Sequence, residues 1–189
     1  MKERPILFSG EMVRAILDGR KTQTRRIVKP ALVVLEREFL EGFYWDWKFE
    51  SVTFDTKEEL LNSFTKYCPY GKKKDRLWVR ETWRQPEDHE DYERGDILYA
   101  ASERDASSKW KPSIHMPRWA SRIFLEIVSV RVERLQDITE TDAISEGCAN
   151  AYHPDFHTGQ FRELWESING PGSWEKNPWV WVINFRRLK

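Results

Sequence analysis

This chain has very little of what would place it outside a cell or in a membrane. Only two of its 189 residues are cysteine, Cys68 and Cys148, too few for the disulfide framework of a small secreted domain. No apolar run reaches the length of a signal-peptide core or a membrane span, so the sequence reads as cytoplasmic. Net charge is missing too. Lys plus Arg and Asp plus Glu stand at 31 each, which excludes a chain that holds polyanions by bulk charge and makes any anion site a local patch. Internal repeats and low-complexity linkers are absent, which excludes solenoids and tethered arrays. What the chain does have is 40% hydrophobic residues with ten tryptophans, enough to bury a substantial core in a single domain over 1–189.

Its densest polar chemistry is the stretch LDGRKTQTRR, residues 17–26, which carries Arg20, Lys21, Arg25 and Arg26 with two threonines. A phosphate-binding loop is excluded, because Arg20 separates Gly19 from Lys21 and the earlier glycine of that motif is missing. The open readings are a basic solvated turn between a helix and a strand, or a general polyanion patch.

The local pattern supplies the setting. RPILFS reads as a first strand, and Ser9 can cap a helix whose Met12, Val13, Ile16 and Leu17 share a face, with Gly19 as its stop. KTQTRRIV follows as a strand with Lys21, Gln23 and Arg25 on one side and Thr22, Thr24 and Arg26 on the other. Residues 31–68 have the character of an insertion: a hairpin turning near Gly42, its aromatics packed on the core or free to stack bases, then a short helix begun by Thr56. DRLWVRETW and DILYAA are strands, and 84–117 carries long loops. RIFLEIVSVRVERL is a long strand, Thr139 opens a helix over ETDAISEG, QFRELWESI forms another, and PWVWVINFRRL closes as an aromatic strand with core on both faces. Separate short helices with five or six strands predict an α+β domain built on a small curved sheet or barrel.

Other constellations carry chemistry of their own. His115, Arg118 and Trp119 sit in a proline-bracketed loop, a combination suited to a phosphate and a stacked base or to a rigid turn. Arg80 and Glu81 stand between apolar neighbours, as an ion pair or as cleft wall. Cys148, His153 and His157 lie close in sequence, but Pro154 argues against the regular helix that a metal pair would need, so no metal site is expected.

Taken together, RPILFSGEMVRAILDGRKTQTRR, DRLWVRETW, MPRWASRI, LQDITETDAISEG and NPWVWVINF resemble the ASCH domain proteins across essentially the whole chain, particularly members carried by phages and prophages. The resemblance implies a fold similar to the PUA domain, a small β-barrel with flanking helices that recognises RNA or a modified nucleobase in a cleft beside the barrel, with no cofactor. Gly19, Lys21 and Arg26 match its most specific motif. One branch of the family removes the acyl group of N4-acetylcytidine, and G-R-K-T-Q-T-R-R resembles its signature, placing Lys21 and Thr24 on the catalytic lysine and threonine and Glu146 on the catalytic glutamate. The implied activity is an amidohydrolase acting on an N4-acylated cytidine, free or in RNA. Amide hydrolysis needs an attacking oxygen, a base and positive charge at the oxyanion, which Thr24, Lys21 and Glu146 can supply between them. An ideal strand sets Lys21 and Thr24 on opposite faces, so a bulge or twist near Gln23 is expected. Two alternatives stay open: a non-catalytic module holding RNA or single-stranded DNA through Lys21, Arg25, Arg26 and Arg118, and a ribonuclease using Lys21 and His115. In every version Arg20, Arg25, Arg26 and Arg118 are expected to border one cleft, with Arg80, His115 and Trp119 as further binding candidates.

Overall fold

The computed structural model describes residues 1–28, 43–47, 50–54, 57–86, 96–103, 109–148 and 157–188. Gly42, Thr56, His153 and much of the 31–68 and 84–117 stretches lie outside these described residues.

Strand β1 (Glu3–Leu7) leads into helix α1 (Gly10–Leu17), whose N-terminus forms where Ser9 accepts a hydrogen bond from the Met12 N–H. Val13 and Ile16 bury one face of α1, and Gly19, at φ +75°, ends it in the left-handed conformation a side chain resists. Strand β2 (Gln23–Ile27) follows. Strands β3 (Phe43–Trp47) and β4 (Glu50–Phe54) pair antiparallel. Helix α2 (Lys57–Phe64) precedes β5 (Arg76–Arg80), and β6 (Trp83–Arg84) pairs with β7 (Leu98–Tyr99) in a second small ribbon. The long β8 (Phe124–Arg134), helices α3 (Glu140–Ser145) and α4 (His157–Asn169), and β9 (Trp179–Arg187) complete the chain.

The main sheet has five strands in the order β1-β5-β8-β9-β2. Only β1 and β5 run parallel; the other neighbours are antiparallel. Register shifts between Ile127 and Ser129 on β8, an irregularity of the kind that bends a strand. Among the described residues the sheet of this α+β fold has two free edges, β1 and β2, and Arg26 on β2 reaches the Leu7 carbonyl at the end of β1, 2.6 Å away.

Alternation along β9 fixes where the cores sit. Trp179, Trp181, Ile183 and Phe185 join Ile6, Val13, Ile16, Leu77 and Leu125 on one face, while Val180 and Val182 join Leu135, Phe161 and Trp165 on the other. Each such side chain contributes about 1.5–3 kcal/mol on burial. The second core holds α3 and α4 against β9, and so sets the end of α3 beside β2.

Candidate functional site

The basic stretch is where α1, β2 and the end of α3 meet. Arg20 and Lys21 both donate their backbone N–H to the Ala15 carbonyl, and Thr22 N–H bonds the Ser145 carbonyl, so residues 20–22 are clamped between two helix C-termini. Glu146 is the C-cap of α3, and Gly147 behind it takes φ +95°. A Cβ on Gly147 would stand 3.2 Å from the Ala15 Cβ and 3.4 Å from the Lys21 Cβ. This glycine lets α3 approach closely enough for Lys21 to reach its end.

Lys21 is buried, with its side chain 0% exposed. Its Nζ donates to the Glu146 carboxylate at 2.6 Å and to the Glu146 carbonyl at 2.8 Å, filling one of the acceptors that a helix end leaves open. The other Glu146 carboxylate oxygen accepts from Arg25 at 3.2 Å. Arg25 also bonds Gln23, Glu133 and Asp142, and Arg131 binds Glu133 and Asp142 in turn. Gln23 ties the group to Asp142 at 2.9 Å and to Asn184 at 2.8 Å. Three cations, Lys21, Arg25 and Arg131, thus meet three carboxylates, Glu133, Asp142 and Glu146, and the network closes without net charge.

Burial holds the Lys21 ammonium below its ordinary pKa, opposed by the attraction of Glu146. At Asp142 burial acts upward, but the Gln23 hydrogen bond and the Arg131 and Arg25 guanidinia outweigh it and hold the carboxyl well below the usual range. Burial pushes the Cys148 thiol up to about 11, the state of an inert structural thiol rather than a nucleophile.

Beside this network lies a cleft of about 430 Å³. Thr24, Arg25, Arg26 and Glu146 line it from β2 and α3, Tyr70 from the loop before β5, and Phe161 and Trp165 from α4. Thr24 and Glu146 therefore face one space, and Lys21 stands directly behind Glu146. No bulge is involved: β2 pairs with β9 in unbroken register from Gln23 to Ile27, and Lys21 lies before the strand begins. Among the described residues, no hydrogen bond is made by the Thr24 hydroxyl.

The remaining candidates are spread more widely. Arg20 is exposed, bonds Asp18 at 2.9 Å, and lines an adjoining hollow that shares Met12, Glu146 and Leu164 with the cleft. Arg118 is not on that rim; it pairs with Glu3 at the far end of β1, 2.6 Å away. His115 and Trp119 are exposed in the same segment, Trp119 edge-on to Trp83 at 5.7 Å. Glu81 is buried and ion-paired, but with Arg122 at 2.8 Å rather than with Arg80, which donates to the Met116 carbonyl instead. His157 begins α4 with its backbone N–H on Glu140. Among the described residues no group of three or more His, Cys, Asp or Glu is placed to hold a metal ion. No helix among them is long and apolar enough to cross a membrane.

Sequence reasoning passed over Tyr70, Phe161 and Trp165, and the carboxylates Glu133 and Asp142. Phe161 and Trp165 had a visible signal, their four-residue spacing on α4; Tyr70 had none, since it reaches the cleft only through the tertiary fold.

No family model matches this chain, and no curated protein matches it. Two solved structures share its general outline. A protein from Enterococcus faecalis V583 described under the family model DUF984 is 9% identical, covering 100% of this chain and 80% of its own, with a TM-score of 0.44. An ASCH domain from Lactobacillus crispatus JV V101 is 10% identical, covering 98% and 79%, with a TM-score of 0.40. At that distance neither carries a function over to this chain; the second bears the name of the domain that the sequence motifs resemble.

Proposed function

We propose that this chain recognises a nucleobase in the cleft beside β2 and hydrolyses the amide of an N4-acylated cytidine there. The observation that carries the reading is the meeting of an unpartnered Thr24 hydroxyl and the Glu146 carboxylate on one cleft, with the buried Lys21 ammonium 2.6 Å behind Glu146. Tyr70, Phe161 and Trp165 offer flat faces for a pyrimidine ring.

The chemistry follows from these groups. Thr24 Oγ1 attacks the acyl carbon, and its proton passes to the Lys21–Glu146 pair, whose lysine is already biased toward its neutral form by burial. Arg25, which lines the cleft, supplies positive charge toward the tetrahedral oxyanion. Collapse breaks the C–N4 bond as the pair returns the proton to N4, releasing cytidine and leaving the acyl group as an ester on Thr24. Water then attacks the ester, giving the free carboxylic acid and restoring the hydroxyl. Incubation of the purified protein with N4-acetylcytidine, resolved by chromatography, tests this: cytidine and acetate are expected, and an unchanged substrate overturns the reading.

One observation favours a second reading, a binding module without turnover. Lys21 Nζ is enclosed, and both of its hydrogen bonds go to Glu146. In that case cytidine ligands bind the cleft and are released unaltered.

A further inference from the structure

The described arginines divide into two kinds. Arg4, Arg20, Arg25, Arg76, Arg118, Arg122, Arg131, Arg162 and Arg186 each stand within 4.0 Å of a carboxylate. Arg26 and Arg80 have no such carboxylate, and neither do Arg14, Arg134 and Arg187, which donate to the Ala101, Asn177 and Leu17 carbonyls; what sets Arg26 and Arg80 apart is that they line one recess together. Arg26 donates to the Leu7 carbonyl and lies over the Phe8 ring, 5.2 Å from its centre. Arg80 donates to the Met116 carbonyl and lies over Trp78 at the same distance of 5.2 Å. These contacts hold each guanidinium in place without neutralising it.

Both arginines line one recess of about 200 Å³, walled by Pro5, Ile6, Leu7 and Tyr70. It lies where the two free edges of the sheet approach each other, β1 on one side and Arg26 of β2 on the other. The recess is also continuous with the cleft, for Arg26 and Tyr70 line both. Burial already holds Arg26 below its ordinary pKa, with Tyr70 and Glu146 only partly offsetting it, as expected of a guanidinium short of counter-charge. In a chain with no net charge, two fixed and unpaired guanidinia facing one hollow are a local anion site.

We propose that this recess binds a phosphate group of the ligand whose base occupies the cleft, so that the substrate class is a nucleotide or an RNA strand rather than a bare nucleoside. The proposal rests on the cleft being a pyrimidine site. Tyr70, shared by both spaces, stands where the sugar joins base to phosphate.

Calorimetric titration of the full chain with cytidine, cytidine 5′-monophosphate and cytidine 3′-monophosphate tests it. One of the two monophosphates is expected to bind at least tenfold more tightly than cytidine, and Arg80→Gln to shrink that ratio toward one. Arg80→Lys, which keeps the charge, should retain part of the preference, and added salt should erode it in the parent protein, a readout that needs no variant. Equal affinity for cytidine and both monophosphates overturns the phosphate site while leaving the cleft intact. Failure of all three to bind overturns both. A preference untouched by Arg80→Gln in a folded variant places the phosphate elsewhere and also sinks the proposal.

Discussion

Thr24 is a β-branched residue on a β-strand, and strand propensity alone would account for it, yet it lines the cleft, and its hydroxyl makes no hydrogen bond among the described residues. Thr24→Val keeps the shape and removes that oxygen. Since no internal hydrogen bond is lost, the urea midpoint should move by less than the equivalent of about 0.5 kcal/mol, while hydrolysis of N4-acetylcytidine should fall nearly to background and ligand binding persist. Turnover at the parent rate would remove Thr24 as nucleophile and make Glu146→Gln the next variant to assay. Lys21 calls for a different measurement. Its folded pKa lies below 10.5, so between the folded value and 10.5 the unfolded chain binds the extra proton, and stability should rise with pH across that window. The rate should climb over the same interval as the lysine gives up its proton; a profile flat up to pH 10 would speak against Lys21 as the proton acceptor. Lys21→Met leaves Glu146 buried against Arg25 alone and should cost about 3–5 kcal/mol in denaturant titrations, the usual loss when one partner of a buried pair is removed.

At the scale of elements, α3 does two jobs. Its first turn is capped reciprocally by Thr139 and Asp142, and the same Asp142 reaches across to Gln23 and Arg131. Protonating Asp142 therefore weakens a helix start and a strand contact together. Its stabilising contribution is present above about pH 4, the ordinary carboxylate range, and is lost as pH falls toward its depressed folded value; Asp142→Asn should flatten that part of the acid-unfolding curve. At the other end of α3, Gly147→Ala forces a side chain into φ +95° and against Ala15 and Lys21. A loss of about 1–3 kcal/mol is expected, with an added drop in activity as Glu146 is displaced, checked by thermal melts alongside the assay. Much of this was legible in the residues. Ser9, the Val13 and Ile16 face and the Thr139 cap announce their helices, and period-two alternation places Gln23 and Arg25 on one side of a strand, although that strand begins at Gln23 and leaves Lys21 ahead of it. The burial of Glu146 was not legible, because nothing in DITETDAISEG records that this helix ends against residues 20–22; that depends on the second core holding α3 and α4 to β9. Arg118 illustrates the converse, a residue whose basic loop suggested the cleft but whose carboxylate partner, Glu3, lies elsewhere on the sheet.

For the whole molecule, the sheet order has a consequence in time as well as space. Among the described strands β2, which carries the cleft wall, pairs with β9 alone, and the Gln23–Asn184 contact spans 161 positions of chain. Closing so long a segment is entropically slow, and such topologies expose unpaired edges while they wait. During synthesis, α1 and the capped start of α3 can form as the chain emerges, but the wall bearing Thr24 lacks its strand partner until Trp179–Arg187 has left the ribosome. A chain stopped at Pro178 should therefore be cut readily by proteases within residues 20–28, whereas the full chain resists there. Thr24, Arg25 and Arg26 lie early in the sequence and Glu146, Phe161 and Trp165 late, so the cleft they line together is among the last parts of the protein to exist.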